Sequence, residues 1–182
     1  MAATVSAGPD GRPELMLQPP SSTAQARPRL VAVRDYVALT KPGVTRMVLA
    51  TAFGGMWLAP GPLRLRETLG GIAGLWLVVA ASNALNCWLE RDSDARMART
   101  ASRPLPSGRL DHAPALAFGL SLGVLGTLLL GAFVSGLVAA LSLASLLVYV
   151  GLYTPLKQRS STALLVGAVP GAMPPLLGWL AM

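Results

Sequence analysis

Asn86, Glu90 and Asp94 follow one another at a spacing of four. On an α-helix that spacing keeps three side chains on one strip, drifting only about 40° per step. An amide oxygen and two carboxylates are hard donors, of the kind magnesium takes together with water and a substrate's phosphates. Carboxylates four residues apart repel one another by a few tenths of a kcal/mol, roughly, so a positive partner is expected nearby. Five arginines, Arg91, Arg96, Arg99, Arg103 and Arg109, follow at once. Guanidinium groups bond bidentately to phosphate oxygens. Oxygens that hold a cation beside arginines that hold a phosphate describe a diphosphate site. Asp92 lies about 200° around the helix from its acidic neighbours and is expected to face elsewhere, toward the arginines.

The spacing by itself leaves a plainer reading open. Charges at a helix end are commonly a solvated cap whose ion pairs contribute ~0–1 kcal/mol. Asn86, deeper in, could serve only as a hydrogen bond between helices.

The elements that must position these residues are membrane helices. Hydrophobic residues make up 53% of the chain and charged ones 13%, too few to cover a soluble domain. Five apolar stretches, 43–60, 68–89, 113–134, 136–154 and 162–182, each approach the ~20 residues that a bilayer core requires. Ser135-Gly136 divides the third from the fourth. Pro170, Pro174 and Pro175 fall inside the fifth, where freed carbonyls call for a buried or cavity-lining position. Residues 1–30, rich in Pro, Ser, Ala and Gly, read as a flexible tail without a signal-peptide pattern. Residues 31–42 read as a short amphipathic lead-in, with Val31, Val33, Tyr36, Val37 and Leu39 roughly on one side. Lys41-Pro42 then opens the first span, proline being accepted in a helix's first turn.

Charge placement sets an orientation and excludes a function class. The net charge of +7 could suggest a nucleic-acid partner, yet thirteen of the fifteen basic residues lie in the N-terminal segment and the loops after the second and fourth spans. The positive-inside rule accounts for them, putting the N-terminus and the 90–112 loop on the cytoplasmic face. One cysteine, Cys87, rules out a disulfide framework, and one histidine, His112, rules out bis-histidine haem ligation within this chain. Cys87 is expected to be a small packing residue and His112 a loop residue. An ion-conducting or assembly protein would keep its acids near mid-membrane, whereas these lie at a helix end.

The stretch "NCWLERDSDARMARTASRPLPSGRL" (86–110) resembles the first aspartate-rich motif of the UbiA superfamily of intramembrane prenyltransferases. The wording at 88–100, "LTKPGVTRMVLATAFGGM" (39–56) and "YTPLKQRSSTALLVGAVPGAMPPLLGW" (153–179) are similar to the branch that farnesylates haem. The resemblance runs from about residue 35 to the end. It implies an all-α integral membrane protein, a bundle of about nine helices of which five are present here. It further implies transfer of farnesyl from farnesyl diphosphate to a vinyl group of haem b in the cell inner membrane. Magnesium would be held through the diphosphate by Asn86, Glu90 and Asp94, with Arg99, Arg103 and Lys157 on the diphosphate itself. Membrane lipid is the surrounding partner, with contact to haem A synthase or oxidase assembly proteins, and no nucleic acid.

Two departures stand out. Glu90 occupies a place where the family commonly has Asp, and Gly43 one where Arg often follows Lys-Pro. Family members also carry a second acidic motif, and no acidic residue follows Asp111. The expectation is therefore an N-terminal part of a longer enzyme; the alternatives are a chain that pairs with a second polypeptide, an inactive remnant, or a superfamily member with another aromatic acceptor.

Overall fold

The computed structural model describes residues 4–7, 13–16 and 29–182, with side chains from residue 33 onward. Two short strands, β1 (Thr4–Ala7) and β2 (Pro13–Met16), pair antiparallel, so part of the expected tail has local order. The rest of that tail lies outside the described residues. Every other described element is helical.

Helix α1 (Arg29–Leu39) leads into α2 (Pro42–Leu58), and the long α3 (Leu65–Ala95) follows. Helices α4 (His112–Phe133) and α5 (Gly136–Leu147) form a hairpin, and α5 runs through a π-helical segment (Val148–Tyr153) into a short α6 (Thr154–Leu156). Helix α7 (Ala163–Leu180) is last. Four of these, counting 136–156 as one, are long and apolar enough to cross a membrane. Helix α2 covers most of the first expected span, but its 17 residues reach only about 26 Å, short of a ~30 Å hydrocarbon core. It ends early because Pro60 and Pro62 flank Gly61, whose backbone takes φ 121°.

Helix α3 organises the rest. Over half of its apolar window is buried, against 22% or less in the other three spans, so it is the central helix. Its 31 residues extend about 46 Å, longer than the bilayer core, so the last turns project beyond the hydrocarbon. Leu75, Val78, Ala81 and Leu85 of α3 meet Leu130 of α4, Leu146 of α5 and Leu177 of α7 in the main core. Helices α2 and α7 approach more closely still. A Cβ on Gly178 would collide with the Ala52 carbonyl, and one on Gly55 with the Pro175 carbonyl. Small residues permit that backbone contact, which lipid alone would not drive.

Helix α7 is continuous through its three prolines. Pro170 and Pro174 line a cavity of about 440 Å³, where the carbonyls they leave without an N–H partner are tolerated.

The expected apolar side of α1 holds at Tyr36 and Leu39 and is corrected at Val33 and Val37; the side chain of Val31 lies outside the described residues. Val33 and Val37 point outward, and the buried residues are Asp35 and Leu39, with Tyr36 half-buried. Hydrophobic periodicity failed here because Asp35 is buried against a cation from a remote loop.

Candidate functional site

The last three turns of α3 carry the acidic strip. Asn86 is almost wholly buried, its Oδ1 accepting from Lys41 Nζ at 2.9 Å and its Nδ2 donating to Thr154 Oγ1 at 3.3 Å. Glu90 forms an ion pair with Lys157 at 2.8 Å. Asp94, 3% exposed, pairs with Arg103 Nη1 at 2.6 Å. Each oxygen group therefore faces one cation. Asp92 lies off the strip, 74% exposed in its side chain and within 3.5 Å of Arg91. Arg99 is exposed and makes no ion pair among the described residues.

Three separate parts of the chain deliver the cations. Lys41 comes from the joint between α1 and α2, where its backbone is left-handed at φ 47° and ψ 67°. A non-glycine residue there costs roughly 1–2 kcal/mol, and an amino acid before proline is constrained further. Neighbouring polar groups hold it: the Thr40 carbonyl accepts from Thr45 Oγ1 at 2.8 Å and from Asn83 Nδ2 at 3.2 Å. The strain points the lysine into the bundle. Arg103 comes from the 96–111 loop, built of successive turns. Thr100 Oγ1 donates to the Asp94 carbonyl at 2.8 Å, and Gly108 takes φ 68° to bring the chain back. Lys157 follows α6, one turn past Tyr153, over whose ring its Nζ lies at 5.2 Å.

The π-helical segment sets the remaining wall. Its wider i→i+5 turn, a feature frequent at functional sites, lets Thr154 Oγ1 donate to the Tyr149 carbonyl at 2.8 Å while also meeting Asn86. Tyr149 and Tyr153 stack at 5.3 Å. Both rings line the 440 Å³ cavity, as do Asn83, Ser142 and apolar residues of α2, α3 and α7. Ser142 Oγ is buried there and makes no hydrogen bond among the described residues, whereas Ser82 and Thr127 each bond back to the carbonyl four residues earlier. A smaller cavity of about 140 Å³ lies at the polar end, between Lys41, Asp94, Arg103 and Pro104. The two cavities share no lining residue: the smaller is charged, the larger mostly apolar.

Sequence reasoning singled out Asn86, Glu90, Asp94, Arg103 and Lys157, and the structure brings these five together; Arg99 stays at the surface. Lys41 and Thr154 were missed as site residues. In the sequence Lys41 marks only the entry to a helix, and nothing local marks Thr154; both meet Asn86 in the fold. Cys87 is buried, packing with Leu39, Leu105 and Leu110 under the arginine loop. His112 opens α4, and its carbonyl accepts from Trp88 Nε1 at 3.1 Å.

The donor chemistry suits a hard cation, though not one ion on all three groups. Asn86 and Asp94 are eight residues apart, about 12 Å along the axis, so they could share a cation only through a bridging polyanion or through more than one ion. Among the described residues, no three His, Cys, Asp or Glu side chains gather into one ligand cluster.

Known proteins give the lineage. The model of the UbiA prenyltransferase family matches residues 48–182. The protoheme IX farnesyltransferase of Myxococcus xanthus is 52% identical over 161 residues, 87% of this chain and 54% of that protein. Those of Anaeromyxobacter dehalogenans and Symbiobacterium thermophilum are 50% and 48% identical, each over 87% of this chain and 55% of theirs. The chain spans about half the length of these curated relatives. No solved structure matches it. The family match covers the acidic strip, the arginine loop, the tyrosine pair and every lining residue of the larger cavity but Val44, and so this chain belongs to the UbiA prenyltransferase family.

Proposed function

We propose that this chain supplies the diphosphate-activating half-site of a protoheme IX farnesyltransferase, which moves farnesyl from farnesyl diphosphate to a vinyl group of haem b. The observation that carries the reading is the matched strip of Asn86–Lys41, Glu90–Lys157 and Asp94–Arg103, whose Lys157 lies over the ring of Tyr153, a residue that lines the apolar cavity.

Asn86, Glu90 and Asp94 would hold magnesium together with the diphosphate, and a bound divalent cation neutralises charge that builds on a departing phosphate oxygen. The chain's own cations do the rest. Lys41, Arg103 and Lys157 are each held by an oxygen that a metal would also seek. Released from it, each would be free to turn onto a diphosphate bound beside the strip. Preorganised cations at the developing charge lower the barrier to C–O cleavage. The tail belongs in the 440 Å³ cavity, a volume within the ~300–1,000 Å³ common for small-molecule sites. The stacked Tyr149 and Tyr153 rings line the cavity, and Lys157 lies over the second, so their faces would stabilise an allylic cation there and keep water from it. The loop would face the cytoplasm, as the basic residues require, with the bundle in the cell inner membrane.

The test is product formation. Membranes carrying the protein are given farnesyl diphosphate, haem b and magnesium, and the haems are separated by mass. The expected result is haem o, lost in Glu90→Gln and Asp94→Asn. Farnesylation of a different acceptor, with haem b unchanged, would overturn the reading.

A further inference from the structure

We propose that Asp35 and Arg109 are positioning residues for Arg103, a latch between α1 and the arginine loop that sets the affinity of the site for diphosphate. The inference rests on the reading of Arg103 as a diphosphate contact.

Asp35 is 6% exposed, and its two carboxylate oxygens accept from Arg109 Nε at 3.1 and 3.4 Å. The same guanidinium donates through Nη1 to the Ser102 carbonyl at 2.9 Å. Ser102 immediately precedes Arg103. One side chain thus ties a buried carboxylate of α1 to the peptide bond that enters Arg103. Below the tie, Leu105 and Leu110 of the loop pack with Leu39 of α1. Tyr36 meets Phe118 edge-on at 5.0 Å, docking α1 against α4. Helix α1 is therefore fastened to both the loop and α4, and the loop's backbone is held independently of the ion pair that the Arg103 side chain makes with Asp94.

That arrangement suits an arginine with two partners. In the free protein Arg103 holds Asp94. To take a phosphate it must turn without its Cα drifting, and only a fixed backbone delivers the guanidinium fork in register. The position of Asp35 against Arg109 accounts for its burial.

The experiment measures magnesium pyrophosphate binding to the membrane-embedded protein in nanodiscs, for wild type, Asp35→Asn, Arg109→Lys, Asp35→Glu and combinations with Arg103→Gln. Arg109→Lys keeps the charge but cannot reach both the carboxylate and the Ser102 carbonyl. Asp35→Asn and Arg109→Lys are each expected to weaken binding about tenfold, corresponding to about 1.4 kcal/mol. Asp35→Glu restores most of it. In the Arg103→Gln background, Asp35→Asn is expected to change binding less than about twofold, because coupled residues are not additive. An equal loss in both backgrounds would overturn the latch, since a merely structural role acts regardless of Arg103. Unchanged binding in both single variants overturns it too. Failure of the wild type itself to bind would instead overturn the diphosphate reading, and the latch with it.

Discussion

Lys41, Lys157 and Arg103 reach the acidic strip from three separate segments, and each meets a different oxygen group. Lys41 is the most informative, because its conformation and charge can be separated. Asparagine tolerates a left-handed backbone, so Lys41→Asn is expected to fold without backbone strain, losing only about 1–3 kcal/mol for the buried Asn86 oxygen left without its partner. A charge-assisted hydrogen bond contributes ~1.5–3 kcal/mol, so loss of the ammonium should weaken farnesyl diphosphate binding roughly ten- to a hundredfold. Lys41→Ala should lose the same affinity and about a further 1 kcal/mol of stability from backbone strain. Titrations and unfolding midpoints of the two variants check both parts. Asp94→Asn probes the opposite sign. It leaves Arg103 facing a neutral amide, and because that arginine is over a third exposed the expected loss is only about 1–2 kcal/mol. Thermal unfolding in detergent reads it.

Helices fix how far these residues can be from one another. The strip was legible because its spacing matches the helical repeat within a single element, and the arginine loop was legible because it is contiguous. The partners were not. Lys41, Thr154 and Asp35 are respectively 45, 68 and 74 residues from the groups they meet, and no local period encodes such pairings. The buried face of α1 departs from its hydrophobic pattern for the same reason, since Asp35 on it meets Arg109. Nor does hydropathy report the π-helical segment, which continues α5 without a change of polarity. Contact between α2 and α7 gives a further check at this scale. Gly54 and Gly55 are neighbours in one helix, yet a Cβ on Gly54 meets nothing within 4 Å whereas one on Gly55 strikes the Pro175 carbonyl. Gly55→Ala is expected to cost ~1–3 kcal/mol by overpacking, and Gly54→Ala to change stability by no more than about 0.5–1 kcal/mol. Equal midpoints for the two would contradict this packing.

At the scale of the molecule, the charged pairs gather at one end of α3 and the apolar chamber lies among α2, α3, α5 and α7. The native Cys87 is buried, so single cysteines can report sidedness. Ala98→Cys in the arginine loop should react with an impermeant thiol reagent only from the cytoplasmic face, and Leu63→Cys, between α2 and α3, only from the opposite one. Reaction of both from one face would refute the orientation.

The central claim is that the three oxygen–cation pairs are the resting form of a metal and diphosphate site. Anomalous scattering from manganese, in crystals grown with a non-hydrolysable thiol analogue of farnesyl diphosphate, tests it most directly. The account predicts manganese beside Asn86, Glu90 and Asp94, with Lys41, Arg103 and Lys157 turned from these side chains onto the diphosphate. Manganese elsewhere, or a diphosphate bound away from an undisturbed strip, would contradict it.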